Sequence, residues 1–330
     1  MRFQPFLVLL PVQMKTQMLC LLMLLTVLTS CRQRERQSLM TLAEGNAVYY
    51  WRTELKLDSA ERAFLRTYDI KKVYCRYFDV VMNGGEPMPN ATLRFSDTLP
   101  QDIEVVPTIY ITEDCMHEPH PGLAEKLVRR IRQMNETNDI GSVSEIQIDC
   151  DYTAKSRKVY YDFLEEVKEE WNKGNHISHL SPLTSHLSTT IRLHQLSMPV
   201  PPADYGVLML YNTGDPQKFM ERNPILDMRD VAPYLSRLRD YALPLAAAYP
   251  VYSWQRRVHG VRIEHRVEGS EILRVKAAVE EKRPEMGRCI ITYCLDQENI
   301  NRYKPETYEA IYHHEPDGSA LAAHHGLHLE

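Results

Sequence analysis

From residue 46 onward the chain alternates between two hydrophobic rhythms. Short runs rich in β-branched and aromatic residues fall at 47–52 (AVYYWR), 72–80 (KVYCRYFDV), 104–112 (EVVPTIYIT) and 144–151 (SEIQIDCD). Others follow at 187–194 (LSTTIRLH), 206–212 (GVLMLYN), 244–252 (PLAAAYPVY) and 289–295 (CIITYCL). This composition predicts eight strands. Between most of them apolar residues recur at helical spacing. Residues 58–68 place Ala60, Phe64 and Leu65 on one face behind the cap residue Asp58, and 121–135 align Leu123, Leu127, Val128 and Ile131. Residues 155–173 align Val159, Phe163, Leu164 and Val167, with Gly174 as a stop; 227–242 and 270–282 are two further helices.

Eight strands alternating with helices over this length predict an α/β protein, a (β/α)8 TIM barrel occupying 46–312. Two connections depart from the pattern. After strand 2, residues 82–103 read as an irregular connection with a turn at Asn83-Gly84-Gly85 and an extra strand ATLRF; after strand 7, residues 255–269 read as a small hairpin insertion. The segment 313–330 reads as a polar, flexible tail.

The N-terminal pattern is of another kind. Residues 18–30 (MLCLLMLLTVLTS) form an uncharged apolar run behind Lys15. The run is shorter than the roughly 20 residues of a permanent span and fits the core of a secretory signal. It ends Leu28-Thr29-Ser30-Cys31, which resembles a bacterial lipobox with Cys31 as the lipidation site. Residues 1–30 are therefore expected to be a lipoprotein signal peptide starting at Met1 or Met14, and 31–45 a tether. The expected location is the cell envelope, in the outer membrane, with the lipid bilayer as a partner through Cys31.

Composition narrows the function. With 39 Lys and Arg against 44 Asp and Glu, the formal charge is -5, which argues against nucleic acid as a partner. No glycine-rich nucleotide-binding motif and no H-E-x-x-H occurs, so no cofactor and no metal is expected. Past the signal and Cys31, Cys75, Cys150 and Cys289 fall in predicted strands and read as buried thiols; Cys115 is a candidate for a disulfide.

Barrel enzymes carry their chemistry at the C-terminal ends of the strands. Here those ends offer Trp51, Arg52, Glu54, Arg76, Asp79, Glu113, Arg192, Tyr211, Asn212, Asp215, Trp254, Tyr293 and Asp296. Aromatic faces stack on sugar rings and carboxylates bind hydroxyls, so these positions form a candidate carbohydrate site. The fourth strand is the sharpest signal. Strand alternation puts Gln147, Asp149 and Asp151 on one face, with the two acids about 7 Å apart. Such neighbours repel unless a cation lies between them, and Arg52, Arg76 or Arg192 is placed to be that cation. Asp149, Asp151 and Asp296 are the candidate catalytic carboxylates, since a pair of acids can supply both protonation and base in glycoside cleavage.

The QIDCD strand resembles the fourth strand of chitinase-like barrels, glycoside hydrolase family 18, whose pattern is D-x-x-D-x-D-x-E. Asp149 and Asp151 match its second and third acids; the first Asp is Ile146 and the final Glu is Thr153. Met209-Leu210-Tyr211-Asn212 is similar to that family's M-x-Y-D/N, and Ile291-Thr292-Tyr293 to its last strand, with Tyr293 in place of Trp. Together with the lipobox and the first strand, the whole chain also resembles Bacteroidota lipoproteins with a glycosidase-like barrel. The resemblance implies a membrane-anchored barrel that acts on or binds a carbohydrate. Because the family's final acid protonates the leaving group, Thr153 in its place favours a non-catalytic glycan-binding protein; a structural or assembly lipoprotein binding a protein partner is the remaining alternative.

Overall fold

In a computed structural model, residues 45–141, 143–173, 185–258 and 260–313 are described. The expectations for Cys31, the signal, the tether and most of the tail lie outside these residues. Eight parallel strands close into a ring: β1 (Asn46–Tyr50), β3 (Ile70–Asn83), β6 (Glu104–Ile111), β7 (Glu145–Cys150), β8 (His186–Ile191), β9 (Tyr205–Met209), β10 (Leu245–Pro250) and β13 (Ile290–Tyr293). Each pairs with the next, and β13 closes on β1 with Ala47 opposite Ile291. The predicted (β/α)8 barrel is therefore the fold.

The main helices cover the outside. α1 (Ser59–Thr67) begins with a capping box: Glu61 N donates to Asp58 Oδ1 at 2.7 Å and Asp58 N to Glu61 Oε2 at 2.9 Å. α2 (Leu123–Thr137) buries Leu127, Val128 and Ile131, and α3 (Arg157–Lys173) buries Phe163, Leu164 and Val167. The predicted helix at 227–242 is instead broken into α4 (Met228–Val231) and α5 (Leu235–Leu238), separated by a 3-10 turn at Ala232–Tyr234. Pro233 lies in that turn; it has no N–H to donate and crowds the preceding turn, which interrupts an α-helix. α6 (Gly269–Lys282) matches expectation, and α7 (Gln297–Ile300) and α8 (Pro305–Tyr312) complete the layer.

Both irregular connections are present. β3 runs past the ring to Asn83, turns at Gly84 (φ 60°) and Gly85 (φ 88°), and returns as β4 (Glu86–Asn90), antiparallel to its own end. Two consecutive left-handed residues are what a tight hairpin needs, and glycine adopts them without strain. Of the predicted extra strand only β5 (Arg94–Phe95) forms; it pairs with β2 (Glu54–Leu55). After the seventh ring strand, β11 (Ser253–Val258) and β12 (Val261–Arg266) form the expected hairpin, two residues earlier than the pattern placed its start.

The ring's interior is polar at depth. Lys72 Nζ donates to Glu145 Oε2 at 2.8 Å, Ser188 Oγ donates to Glu145 Oε1 at 2.6 Å, and Tyr205 also donates to Oε1. Tyr74 and Tyr205 share a hydrogen bond of 2.8 Å. Glu145 is fully buried, and burying a carboxylate is tolerated because a cation and two hydroxyls satisfy it. One layer higher, Tyr49 Oη donates to Gln147 Oε1 at 2.8 Å. The described cysteines are all free, including Cys115.

Candidate functional site

Alternation along β7 sends Glu145, Gln147 and Asp149 into the ring, while Tyr160 of α3 covers the outer side beside Ile148. The same alternation on β8 turns Ser188 and Thr190 inward, with Arg192 following at the strand's end. Thr190 Oγ1 donates to Asp149 Oδ1 at 2.6 Å. Arg192 Nη2 lies 3.6 Å from the same oxygen, and Arg192 Nε donates to Asp151. Arg192 is thus the cation between the two acids. Arg76 and Arg52, the other two candidates, are engaged elsewhere. Arg76 Nε donates to Asp79 Oδ1 at 2.7 Å, and Arg52 Nη2 donates to Glu61 Oε1 at 2.7 Å, tying the end of β1 to the α1 capping box.

Burial pushes the Asp149 carboxyl above its ordinary range; Arg192 opposes the rise and Asp151 adds to it. Burial works against the Arg192 charge, but Asp149 and Asp151 outweigh it and keep the guanidinium cationic. Tyr110, beside this trio on β6, has its phenol pushed up to about 12 by burial and by Asp151 and Asp149.

An aromatic shelf stands over the trio. The Tyr211 and Tyr293 rings stack at 4.7 Å, and Tyr293 lies 5.6 Å from Trp51 and 5.5 Å from Tyr252. The guanidiniums of Arg192 and Arg76 flank it, 6.0 Å from Tyr211 and 5.6 Å from Trp51. The Tyr211 hydroxyl is buried without a hydrogen-bond partner among the described residues. Tyr252 Oη donates to Asn212 Oδ1 at 2.5 Å; Asn212 itself takes a left-handed turn (φ 52°). The peptide between Tyr293 and Cys294 is cis.

Other predicted site residues are spent on local structure. Asp296 caps α7, accepting from Asn299 N and Asn299 Nδ2, each at 2.8 Å. Asp215 caps the turn at Pro216–Lys218 through Gln217 N, and Glu54 pairs with Arg94 at 2.9 Å on the outer edge. Trp254 packs on Phe219 at 5.9 Å, on the far face of the hairpin's base, while still bordering the cleft. That cleft, about 580 Å³, runs between Asn212, Tyr252, Tyr293, Asp296 and the hairpin. A second depression of about 620 Å³ lies beyond Trp51, over Arg52 and Lys56. Among the described residues, no group of three or more His, Cys, Asp or Glu side chains is placed to hold a metal.

Glu113, in sequence one of several strand-end acids, comes to the start of α3. Thr153 Oγ1 donates to its Oε1 at 3.0 Å and Ser156 Oγ donates to the same oxygen at 2.6 Å, while His117 Nε2 lies 2.8 Å from Oε2. The Ser156 hydrogen bond above all, with His117 and Thr153, holds this carboxyl below its usual range against a smaller opposing effect of burial. Thr190 was missed altogether, although alternation back from Arg192 would have found it.

The fold is a (β/α)8 barrel like those of chitinases and chitinase-like proteins. It resembles the chitinase-like agglutinin of Robinia pseudoacacia (TM-score 0.52, 10% identity, 81% of this chain and 99% of that one). It also resembles a chitinase from Bacteroides thetaiotaomicron (0.50, 10%, 83% and 99%) and the Bacillus megaterium spore cortex-lytic enzyme SleL (0.50, 10%, 79% and 74%). No protein-family model matches the chain, and no curated protein matches its sequence.

Proposed function

We propose that the protein is an envelope-anchored barrel that binds a glycan across its C-terminal mouth and does not cleave it. The observation that carries this reading is the Arg192 guanidinium, joined to both Asp149 and Asp151 beneath the Trp51–Tyr293–Tyr211 shelf. A hydrolase needs one carboxylic acid free to give its proton to the leaving oxygen. Here Asp149 is buried against Thr190 and Arg192, Asp151 pairs with Arg192, Asp296 caps a helix, and Glu113 is held ionised. The partly exposed Trp51 and Tyr293 rings and the polar cleft beside them are what a sugar ring requires: a flat apolar face with hydrogen-bonding groups at its edge.

Structural neighbours include both an agglutinin and a lytic enzyme, so the reading rests on the site's geometry and not on the fold. One observation favours hydrolysis as a second reading. Asp149 is raised while Asp151 lies more exposed beside it, and environments that split two acids can assign acid and base.

The test is calorimetric titration of N-acetylglucosamine oligomers and other glycans, with reducing ends measured after long incubation. Binding without release, lost in Trp51→Ala, is expected. Release of reducing ends that stops in Asp149→Asn would establish the hydrolase instead, and no binding to any glycan would remove both. For the anchor, a Cys31→Ser protein should leave the membrane fraction; unchanged fractionation would refute lipidation at Cys31.

A further inference from the structure

The hairpin β11–β12, beside the mouth, is strongly basic. Its two strands carry Arg256, Arg257, Arg262 and Arg266 against one acid, Glu264, in a chain whose formal charge is -5. Directly opposed residues of an antiparallel pair lie on the same face, and successive pairs alternate. One face therefore holds Trp254 with His265 and Arg256 with Ile263. It is packed down: Phe219 lies 4.4 Å from the His265 ring, and Arg256 Nη1 donates to Pro216 O at 3.2 Å.

The other face holds Ser253 with Arg266, Gln255 with Glu264, and Arg257 with Arg262. Ser253, Gln255 and Arg262 line the cleft beside Tyr252 and Tyr293, together with the edge of Trp254; Arg257, exposed and directly opposite Arg262, shares that residue's side of the ladder next to the hairpin turn. Two like charges directly opposed across strands repel. Arg262 donates to Gln255, an uncharged partner. The Arg257 guanidinium makes no ion pair or hydrogen bond among the described residues. Glu264, the nearest acid in the ladder, stands 3.5 Å from Arg302, which also holds Glu298 at 2.9 Å. The acids nearest the cleft are engaged elsewhere: Glu264 and Glu298 by Arg302, and Asp296 by Asn299. This leaves Arg257 and Arg262 as two opposed guanidiniums, neither in direct ion-pair contact with a carboxylate among the described residues, near the aromatic rings.

We propose that this face selects an anionic glycan, whose carboxylate or sulfate groups bridge Arg257 and Arg262 while its sugar faces rest on Tyr252 and Tyr293. The inference rests on the glycan-binding reading and names the ligand's chemistry. Guanidinium forks suit both anions, since each offers two oxygens in one plane.

The experiment titrates the whole protein with three probes of equal length: neutral N-acetylglucosamine oligomers, oligogalacturonate and chondroitin sulfate oligosaccharides. At least one anionic probe should bind about tenfold or more tightly than the neutral one, with an affinity that falls as salt rises. Carboxylate and sulfate arms tell the two sources apart. Arg257→Gln with Arg262→Gln should erase that margin, and Arg257→Lys with Arg262→Lys should restore part of it, all three proteins melting alike. Equal affinity for neutral and anionic probes, or a margin that survives the double Gln change, would overturn the inference and leave glycan binding standing. Equally tight, Arg-dependent binding to anionic lipid vesicles or to duplex DNA would also overturn it, marking a general polyanion surface. If Trp51→Ala changes nothing because no probe binds, the underlying glycan reading fails with it.

Discussion

Thr153 Oγ1 donates to Glu113 Oε1 at 3.0 Å. A residue of the fourth strand's loop, at the position where the resembled family carries its proton donor, holds a carboxylate delivered by the third strand. That carboxylate is also bound by Ser156 at 2.6 Å, at the start of α3, where a negative charge is favoured by the helix dipole. It stands where it steadies a helix, in the protonation state opposite to an acid catalyst's.

Replacing Glu113 by Ala should destabilise the protein by about 1–2 kcal/mol, because Ser156 and Thr153 lose a charged acceptor. The folded-state carboxyl titrates below its usual value, so its contribution is present above the unfolded value and is lost as pH falls through the folded one. Denaturant midpoints of wild type and variant should therefore converge on acidification through the acid range. A constant gap would show that the charge of Glu113 is not what stabilises.

Asp149 has the opposite sign. Its carboxyl is raised, so its protonated form favours folding and that advantage disappears as pH rises through the folded value. Asp149→Asn is expected to gain stability over wild type at neutral pH and to lose the gain in acid. Chemical denaturation at several pH values checks this; a variant less stable at neutral pH would mean that the pairing with Arg192 outweighs burial.

Truncating Arg192 leaves Asp149 buried beside Asp151 with no cation. Arg192→Ala should cost about 3–5 kcal/mol, while the double change with Asp149→Asn should recover a large part of it. A double-mutant cycle measures the coupling, and simple additivity would contradict the geometry described.

Glu145 sits deeper and is fully buried. Glu145→Gln removes the charged partner of Lys72 and should cost about 3–5 kcal/mol, comparable to truncating Arg192. Equilibrium unfolding gives the value directly.

All eight strands of the ring were legible because strands buried on both faces read as continuous apolar runs bounded by turn residues. The hairpin was legible from its basic, alternating sequence. The break at Pro233 was visible too, but the apolar spacing on either side of it masked the interruption. Asp296 read as catalytic for a physical reason: an acid at the end of a barrel strand is also an acid at the start of the next helix, and the sequence does not separate cap from catalyst. Asp149 and Asp151 could be placed on one face by alternation. Choosing Arg192 over Arg52 and Arg76 required knowing that β8 lies beside β7, with Ser188 in register with Gln147, and that the other two guanidiniums are engaged by Asp79 and Glu61.

The interior network of Lys72, Glu145, Tyr205 and Tyr74 stoppers the ring from below, so the barrel is a dish and not a pipe. Whatever settles in it must come and go by the same side. A long polymer would be grasped along its flank instead of being fed through, and a stretch from the middle of a chain would serve as well as either end.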